Sequence, residues 1–97
     1  MDGKVYLLVI SDEEGDKIET ISLTKDKAFN LAEEFVRRWN ELHVESAALK
    51  EAEIGSDKDF TIIWTDHASL IKRWRGSGTF FDIIETVPEN LCIEDLS

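Results

Sequence analysis

The sequence contains one cysteine, Cys92, and one proline, Pro88, among its 97 residues. A single cysteine cannot form an internal disulfide, whereas small secreted domains usually carry several. No apolar run approaches the ~20 residues of a transmembrane helix, and the first residues lack the basic and then apolar pattern of a signal peptide. We therefore expect a cytoplasmic protein that makes no use of a membrane.

Motifs typical of catalysis and cofactor binding are also missing. The sequence has no P-loop, no Gly-x-Gly-x-x-Gly, no Gly-x-Ser-x-Gly and no Cys-x-x-Cys. His43, His67 and Cys92 lack the spacing of zinc ligands, and the acidic residues around Cys92 disfavour a reactive thiolate. The sequence thus predicts no metal, no cofactor and no catalytic residue, and it favours a protein that is not an enzyme.

Acidic residues dominate the charge of the chain. There are 21 of them against 11 basic residues, which gives a formal net charge of -10. Such a surface repels phosphate backbones and attracts basic protein surfaces, so we expect a protein partner with a basic surface rather than direct nucleic-acid binding. The alternative is that the negative charge only keeps a small protein soluble.

The first half of the chain predicts a hairpin followed by a helix. Residues 4–10 and 17–23 are apolar and β-branched runs on either side of an acidic turn, which is typical of a β-hairpin. Thr24 then has the character of a helix N-cap, and apolar residues recur at helical spacing as far as Leu42. We expect this helix to be the main one.

The second half is less regular. Residues 43–54 fit either a continuation of the helix or a turn followed by a strand, and residues 60–65 and 79–87 predict strands. Asp66 is placed to cap a short helix that ends near Arg75, with Gly76 as its C′ residue, and residues 88–97 form a loosely docked tail. The expected fold over residues 1–97 is a single α+β domain. It has the order β-β-α-β-α-β and a mostly antiparallel four-stranded sheet packed on one main helix.

The first predicted strand is apolar on both of its faces. The two sets of alternating residues are Val5, Leu7 and Val9, and Tyr6, Leu8 and Ile10. One helix covers one face of a sheet, and an exposed apolar face would be a liability in water. Either the rest of the chain covers the second face or a second copy does, and we expect a homodimer.

One short stretch, "LIKRWRGSG" at residues 70–78, is basic within an acidic chain. Cations beside an indole can bind a protein or a phosphate, so Lys72, Arg73, Trp74 and Arg75 are candidate contact residues. The same residues equally fit the solvated face and the end of a short helix. The alternative function is a small ligand- or nucleotide-binding protein or enzyme, with His67, Arg73 and Arg75 around a pocket.

The acidic residues give a sharper version of protein binding, in which the protein mimics nucleic acid and inhibits a nucleic-acid-binding protein of a host. This hypothesis requires carboxylates along one face of the molecule. The candidates are Glu33, Glu34, Glu41, Glu45, Asp82 and Glu85. Exposed parts of Trp39, Trp64 or Trp74 would serve as anchors, as aromatic residues do at interfaces.

The first third of the chain combines "KVYLLVI", an acidic turn, "IETISL" and then "TKDKA" at the start of a helix with aromatic residues. In this combination it resembles small accessory proteins encoded by phages and prophages, whose function is unknown. The resemblance is one of fold and assigns no site residue. It implies a compact accessory protein of viral or prophage type that acts by binding.

Overall fold

The computed structural model describes residues 3–45, 48–52, 68–76 and 78–87. These residues form one α-helix and five β-strands. The elements are β1 (Val5–Asp12), β2 (Gly15–Ser22), α1 (Lys25–Leu42), β3 (Lys50–Ala52), β4 (Ser69–Arg75) and β5 (Phe80–Thr86). The predicted strand at 60–65, the tail at 88–97, and the individual residues Trp64, Asp66, His67 and Cys92 lie outside the described residues.

The predicted hairpin and its helix are confirmed. β1 and β2 pair antiparallel from Tyr6 opposite Ser22 to Asp12 opposite Gly15, so the turn is shorter than the sequence suggested. The Asp12 carboxylate accepts a hydrogen bond from the backbone of Glu14 at 2.8 Å. Gly15 has a φ of 124°, a backbone conformation that residues with a Cβ rarely adopt. This local chemistry fixes a tight reversal of the chain.

Helix α1 begins where the sequence predicts. The Thr24 hydroxyl accepts a hydrogen bond from the backbone N–H of Lys27 at 3.2 Å, and Asp26 lies in the first turn, near the positive end of the helix dipole. The helix ends at Leu42, and residues 50–52 form β3. Of the two interpretations of residues 43–54, the turn followed by a strand is therefore the correct one for the described part.

The predicted short helix ending near Arg75 is wrong, because residues 69–75 form strand β4. β4 pairs with β3 on one side and with β5 on the other, and sheet hydrogen bonding on both sides outweighs a weak local preference for helix. Gly76 is not a helix C′ residue. Its backbone N–H donates to the Thr79 carbonyl at 2.9 Å within the β4–β5 turn.

The five strands of the described residues make one antiparallel sheet in the order β2-β1-β5-β4-β3. The predicted four-stranded sheet lacked β4, and its strand at 60–65 lies outside the described residues. Helix α1 lies across one face, which we call the near face. The other, which we call the far face, carries a second apolar cluster. Its buried members are Val5, Leu7, Val9, Leu70 and Ile84.

The apolar residues of both clusters that the structure describes are buried. The homodimer remains a prediction from the sequence. Within the described ranges, no helix has the length and apolar character needed to cross a membrane.

Candidate protein-binding site

The pleat of β4 separates the basic residues that the sequence grouped together. Lys72 and Trp74 lie opposite Ile83 and Phe81 on the near face, whereas Arg73 lies opposite Asp82 on the far face. Because successive side chains of a strand point to opposite faces, the four candidate contact residues do not form one patch. In the predicted helix, Lys72, Arg73 and Arg75 would share one exposed face, so the strand changes the geometry of these candidate contact residues.

Arg73 and Asp82 form a two-point ion pair on the far face. The Arg73 Nε donates to Asp82 Oδ1 at 2.7 Å, and its Nη2 donates to Oδ2 at 3.0 Å. The guanidinium also lies 5.0 Å from the centre of the Phe80 ring. Only 2% of Asp82 is exposed. Asp82 is thus a buried structural partner of Arg73, and it is not displayed to another molecule.

Burial and pairing act in opposite directions on the Asp82 carboxyl. Burial has the largest effect and raises the pKa, the hydrogen bond and charge of Arg73 lower it, and the charge of Asp16 raises it, so the pKa lies above its ordinary value. The hydrogen bond that Arg73 donates to Asp82 raises the pKa of Arg73, which stays charged. Arg73 thus offsets only part of the rise in the pKa of Asp82 that burial and the charge of Asp16 cause.

Lys72 lies on the near face, where 21% of its side chain is exposed. Its Nζ lies 5.5 Å from the centre of the Phe29 ring and 5.2 Å from that of Trp74, within the range of cation–π contacts. It also lies 2.9 Å from the Glu51 carboxylate on β3. Lys72 thus covers aromatic side chains of the near face beside strand β3. Arg75 is exposed at the end of β4.

The carboxylates required for nucleic-acid mimicry do not line one face. Asp82 is buried on the far face, and Glu85 on the near face accepts a hydrogen bond from the Tyr6 hydroxyl at 3.0 Å. That bond raises the pKa of Tyr6. Glu34 and Glu41 lie on the helix beside arginines, with Glu34 4.0 Å from Arg38. The helix therefore presents mixed charge rather than a row of negative charges.

Three of the candidate contact residues do meet. Glu33, Glu41 and Trp74 line a groove of about 450 Å³ between helix α1 and the sheet, which we call the Trp74 groove. Trp74 and Val36 are buried side chains that form its apolar floor. Arg37 also lines the groove, where it pairs with Glu41. An apolar floor beside the remaining carboxylate, Glu33, is suited to a protein side chain with a basic neighbour.

Two residues that line this groove, Asn40 and Val44, were not identified from the sequence. Asn40 lines the wall, and its side chain bonds to both backbone groups of Leu49: the Leu49 N–H donates to Oδ1 at 2.7 Å, and Nδ2 donates to the Leu49 carbonyl at 3.3 Å. Val44 lies at the mouth with 76% of its surface exposed. The sequence does contain two signals for them: a polar residue on the buried side of the helix, and a valine just after the helix ends.

The Glu33 carboxylate makes no ion pair or hydrogen bond with another described residue, whereas Glu41 binds Arg37 at 3.1 Å. As far as the described residues go, the groove thus has an unpaired negative charge beside an apolar floor. Metal binding has no comparable support, since the described part of the chain contains no group of three or more His, Cys, Asp or Glu placed to hold an ion.

Comparison with models of protein families, with curated proteins and with solved structures found no match. The resemblance to phage and prophage accessory proteins therefore remains a prediction from the sequence.

Proposed function

We propose that this protein is not an enzyme and acts by binding another protein that has a basic surface, with the Trp74 groove as the contact site. The observation that carries the proposal is the meeting of an apolar floor, an exposed valine and free carboxylate charge in one place. A groove of about 450 Å³ lies within the range of ~300–1,000 Å³ that is usual for binding pockets. It would take one large apolar side chain of the partner.

The charges around the groove would then select the neighbours of that side chain. Glu33 would pair with a lysine or arginine of the partner, and the net charge of -10 would speed the encounter. The Asn40 contacts hold the wall in place before binding, which lowers the ordering cost of association.

The alternative function, a ligand-binding pocket around Arg73 and Arg75, has less support. The Nε and Nη2 donors of Arg73 are bonded to Asp82 on β5, so a ligand would have to compete with a buried carboxylate. His67 lies outside the described residues. No arrangement of described side chains favours this function over protein binding.

The test compares two pairs of variants in affinity capture from the cells that encode the protein. Val44→Asp alters the groove, and Leu23→Asp makes the same change at a site outside the groove that is 78% exposed. Glu33→Lys reverses a charge at the groove, and Glu13→Lys does so at the hairpin turn. Circular dichroism and thermal melts establish that all four variants fold.

We expect a partner that binds the wild type, Leu23→Asp and Glu13→Lys alike, and that binds Val44→Asp and Glu33→Lys at least about tenfold more weakly, or about 1.4 kcal/mol. Binding should also weaken as salt increases. A partner lost equally with the control variants, or retained by both groove variants, would rule out the Trp74 groove as its site.

A further inference from the structure

A second groove lies on the side of helix α1 that faces the β1–β2 hairpin. Its volume is about 300 Å³, and we call it the Trp39 groove. Ile10 and Phe81 from the sheet and Phe35 and Trp39 from the helix form its apolar walls. The His43 ring stacks on Trp39 with 4.0 Å between the centroids, which fixes the indole and covers one of its faces. The aromatic wall is therefore held in position.

Carboxylates border this groove on the sheet side. Asp12 is held by the backbone N–H of Glu14, and Glu19 lies 3.6 Å from the exposed ammonium group of Lys17. A contact of that length with a solvated lysine neutralises little of the charge. Two fixed or partly fixed negative groups therefore lie next to the aromatic side chains.

Arg38 borders the groove on the helix side, and it is the one basic residue among the described residues of its lining. Its guanidinium lies 4.0 Å from the Glu34 carboxylate, one turn earlier on the helix. Acidic residues thus outnumber basic ones around an aromatic groove.

We propose that the Trp39 groove binds an arginine side chain of a partner protein. A guanidinium is planar and stacks on aromatic faces, and carboxylates bind its N–H groups. Asp12 and Glu19 would supply the charge, and Phe35 and Trp39 the faces. This site lies apart from the Trp74 groove, so it does not depend on the function proposed above.

The test uses three short peptides and the folded protein, without the natural partner. The probes are acetyl-Gly-Arg-Gly-amide, the same peptide with norleucine, and the same peptide with glutamate. Binding is followed by the indole N–H signals in ¹H–¹⁵N NMR spectra, and Trp39→Phe identifies the signal of Trp39. We expect a saturable shift of that signal with the arginine peptide alone.

Three charge variants then test the chemistry of the site. Asp12→Asn and Glu19→Gln should each weaken binding of the arginine peptide at least about threefold. Glu13→Gln, which removes the same charge outside the groove, should change binding by less than half of that effect. Arg38→Gln should strengthen binding, because it removes a like charge from the rim.

The proposal is wrong if the norleucine peptide shifts Trp39 as much as the arginine peptide does, since the groove would then be only apolar. It is also wrong if the glutamate peptide binds and Arg38→Gln abolishes that binding, because Arg38 would then make the groove a site for anions. Equal losses in Asp12→Asn and Glu13→Gln would likewise overturn it, because they would show only a general effect of net charge.

Discussion

Lys72 and Arg73 are neighbours in the sequence, yet their ion pairs lie on opposite faces of the sheet. Lys72 binds Glu51, whose side chain is 63% exposed, at the edge of the near face. Arg73, with 27% of its side chain exposed, binds a nearly inaccessible Asp82 on the far face. The two distances, 2.9 and 2.7 Å, are almost equal. The comparison shows that distance alone does not tell which pair matters to folding.

The two ion pairs differ in how much the free energy of unfolding falls when one partner is removed. Water solvates an exposed carboxylate when its lysine is removed, so the pair at the near face adds little to the free energy of unfolding. A carboxylate surrounded by an apolar cluster has no such alternative. Asp82 lies opposite Val9 on β1 and next to Ile84 on the same face of β5. Among the described residues, Arg73 is its only partner of opposite charge.

The largest effect is expected when the far-face pair loses one member. Arg73→Met leaves the Asp82 carboxylate buried without its partner and should lower the free energy of unfolding by about 3–5 kcal/mol at neutral pH. Asp82→Val leaves the partly exposed guanidinium of Arg73 and should cost less. Urea unfolding monitored by tryptophan fluorescence would measure both values.

The double variant Arg73→Met/Asp82→Val serves as the control for this prediction. Because it removes both charges, it should be as stable as the wild type or more stable. The coupling energy from the four proteins should exceed about 2 kcal/mol. A coupling near zero would mean that the two groups do not depend on each other, and that the comparison with Lys72 has no energetic basis.

The pH dependence of stability tests the state of the Asp82 carboxyl. Since its pKa is raised in the folded protein, the folded state holds this proton more tightly than the unfolded chain. Its contribution to stability is fully present below the ordinary pKa of aspartate and is lost as the pH rises through the folded pKa. The effect should be smaller than that of Arg73→Met.

The measurement is urea unfolding between pH 3 and 7 for the wild type and for Arg73→Met/Asp82→Val. The other carboxylates titrate in both proteins, so the difference in stability reports on the pair together with the repulsion between Asp82 and Asp16. The wild type should lose stability relative to the double variant as the pH rises through this window. A relative gain would show that Arg73 lowers the pKa of Asp82 more than burial raises it.

The same contrast explains how much the sequence could predict. The hairpin, helix α1 and strand β5 follow from local patterns: an apolar run, a glycine turn, a threonine cap and helical spacing. The apolar residues within 69–75 have a spacing that fits a helix and also fits a strand whose register shifts. The structure has such a shift between Leu70 and Lys72. Only pairing with β3 and β5 decides between them, and that information is not local.

The candidate site divides in the same way. Glu33, Glu41 and Trp74 were singled out by charge and by aromatic character, and the structure brings them together in one groove. Asp82 was assigned to the surface because it is acidic, but a single charged residue within an apolar strand can be a buried partner as well as an exposed group. Its position opposite Arg73 depends on the β4–β5 register, which composition does not reveal.

A smaller effect is expected at Thr86, which shares the far face with Asp82. Its hydroxyl is buried, and it has no hydrogen-bond partner among the described residues. A buried hydroxyl without a partner costs free energy, and valine has nearly the same shape. Thr86→Val should therefore raise the free energy of unfolding by up to about 1 kcal/mol, whereas Asp82→Val should lower it. Destabilisation by Thr86→Val would mean that the hydroxyl is bonded.

The smallest effect is expected for the near-face pair. Glu51→Gln and Lys72→Met should each change the free energy of unfolding by less than about 1 kcal/mol, and their coupling should stay below about 0.5 kcal/mol. In Lys72→Met, the methionine side chain keeps the contact with the rings of Phe29 and Trp74. The substitution therefore conserves packing and removes only the charge.

Salt distinguishes the two pairs most directly. At 1 M NaCl the Debye length is about 3 Å, so the coupling between Lys72 and Glu51 should vanish. The coupling between Arg73 and Asp82 should persist, because solvent ions do not reach a carboxylate whose side chain is 3% exposed. If high salt abolished both couplings equally, Asp82 would have to be accessible to water, and the two faces of the sheet would not differ in the way that their burial implies.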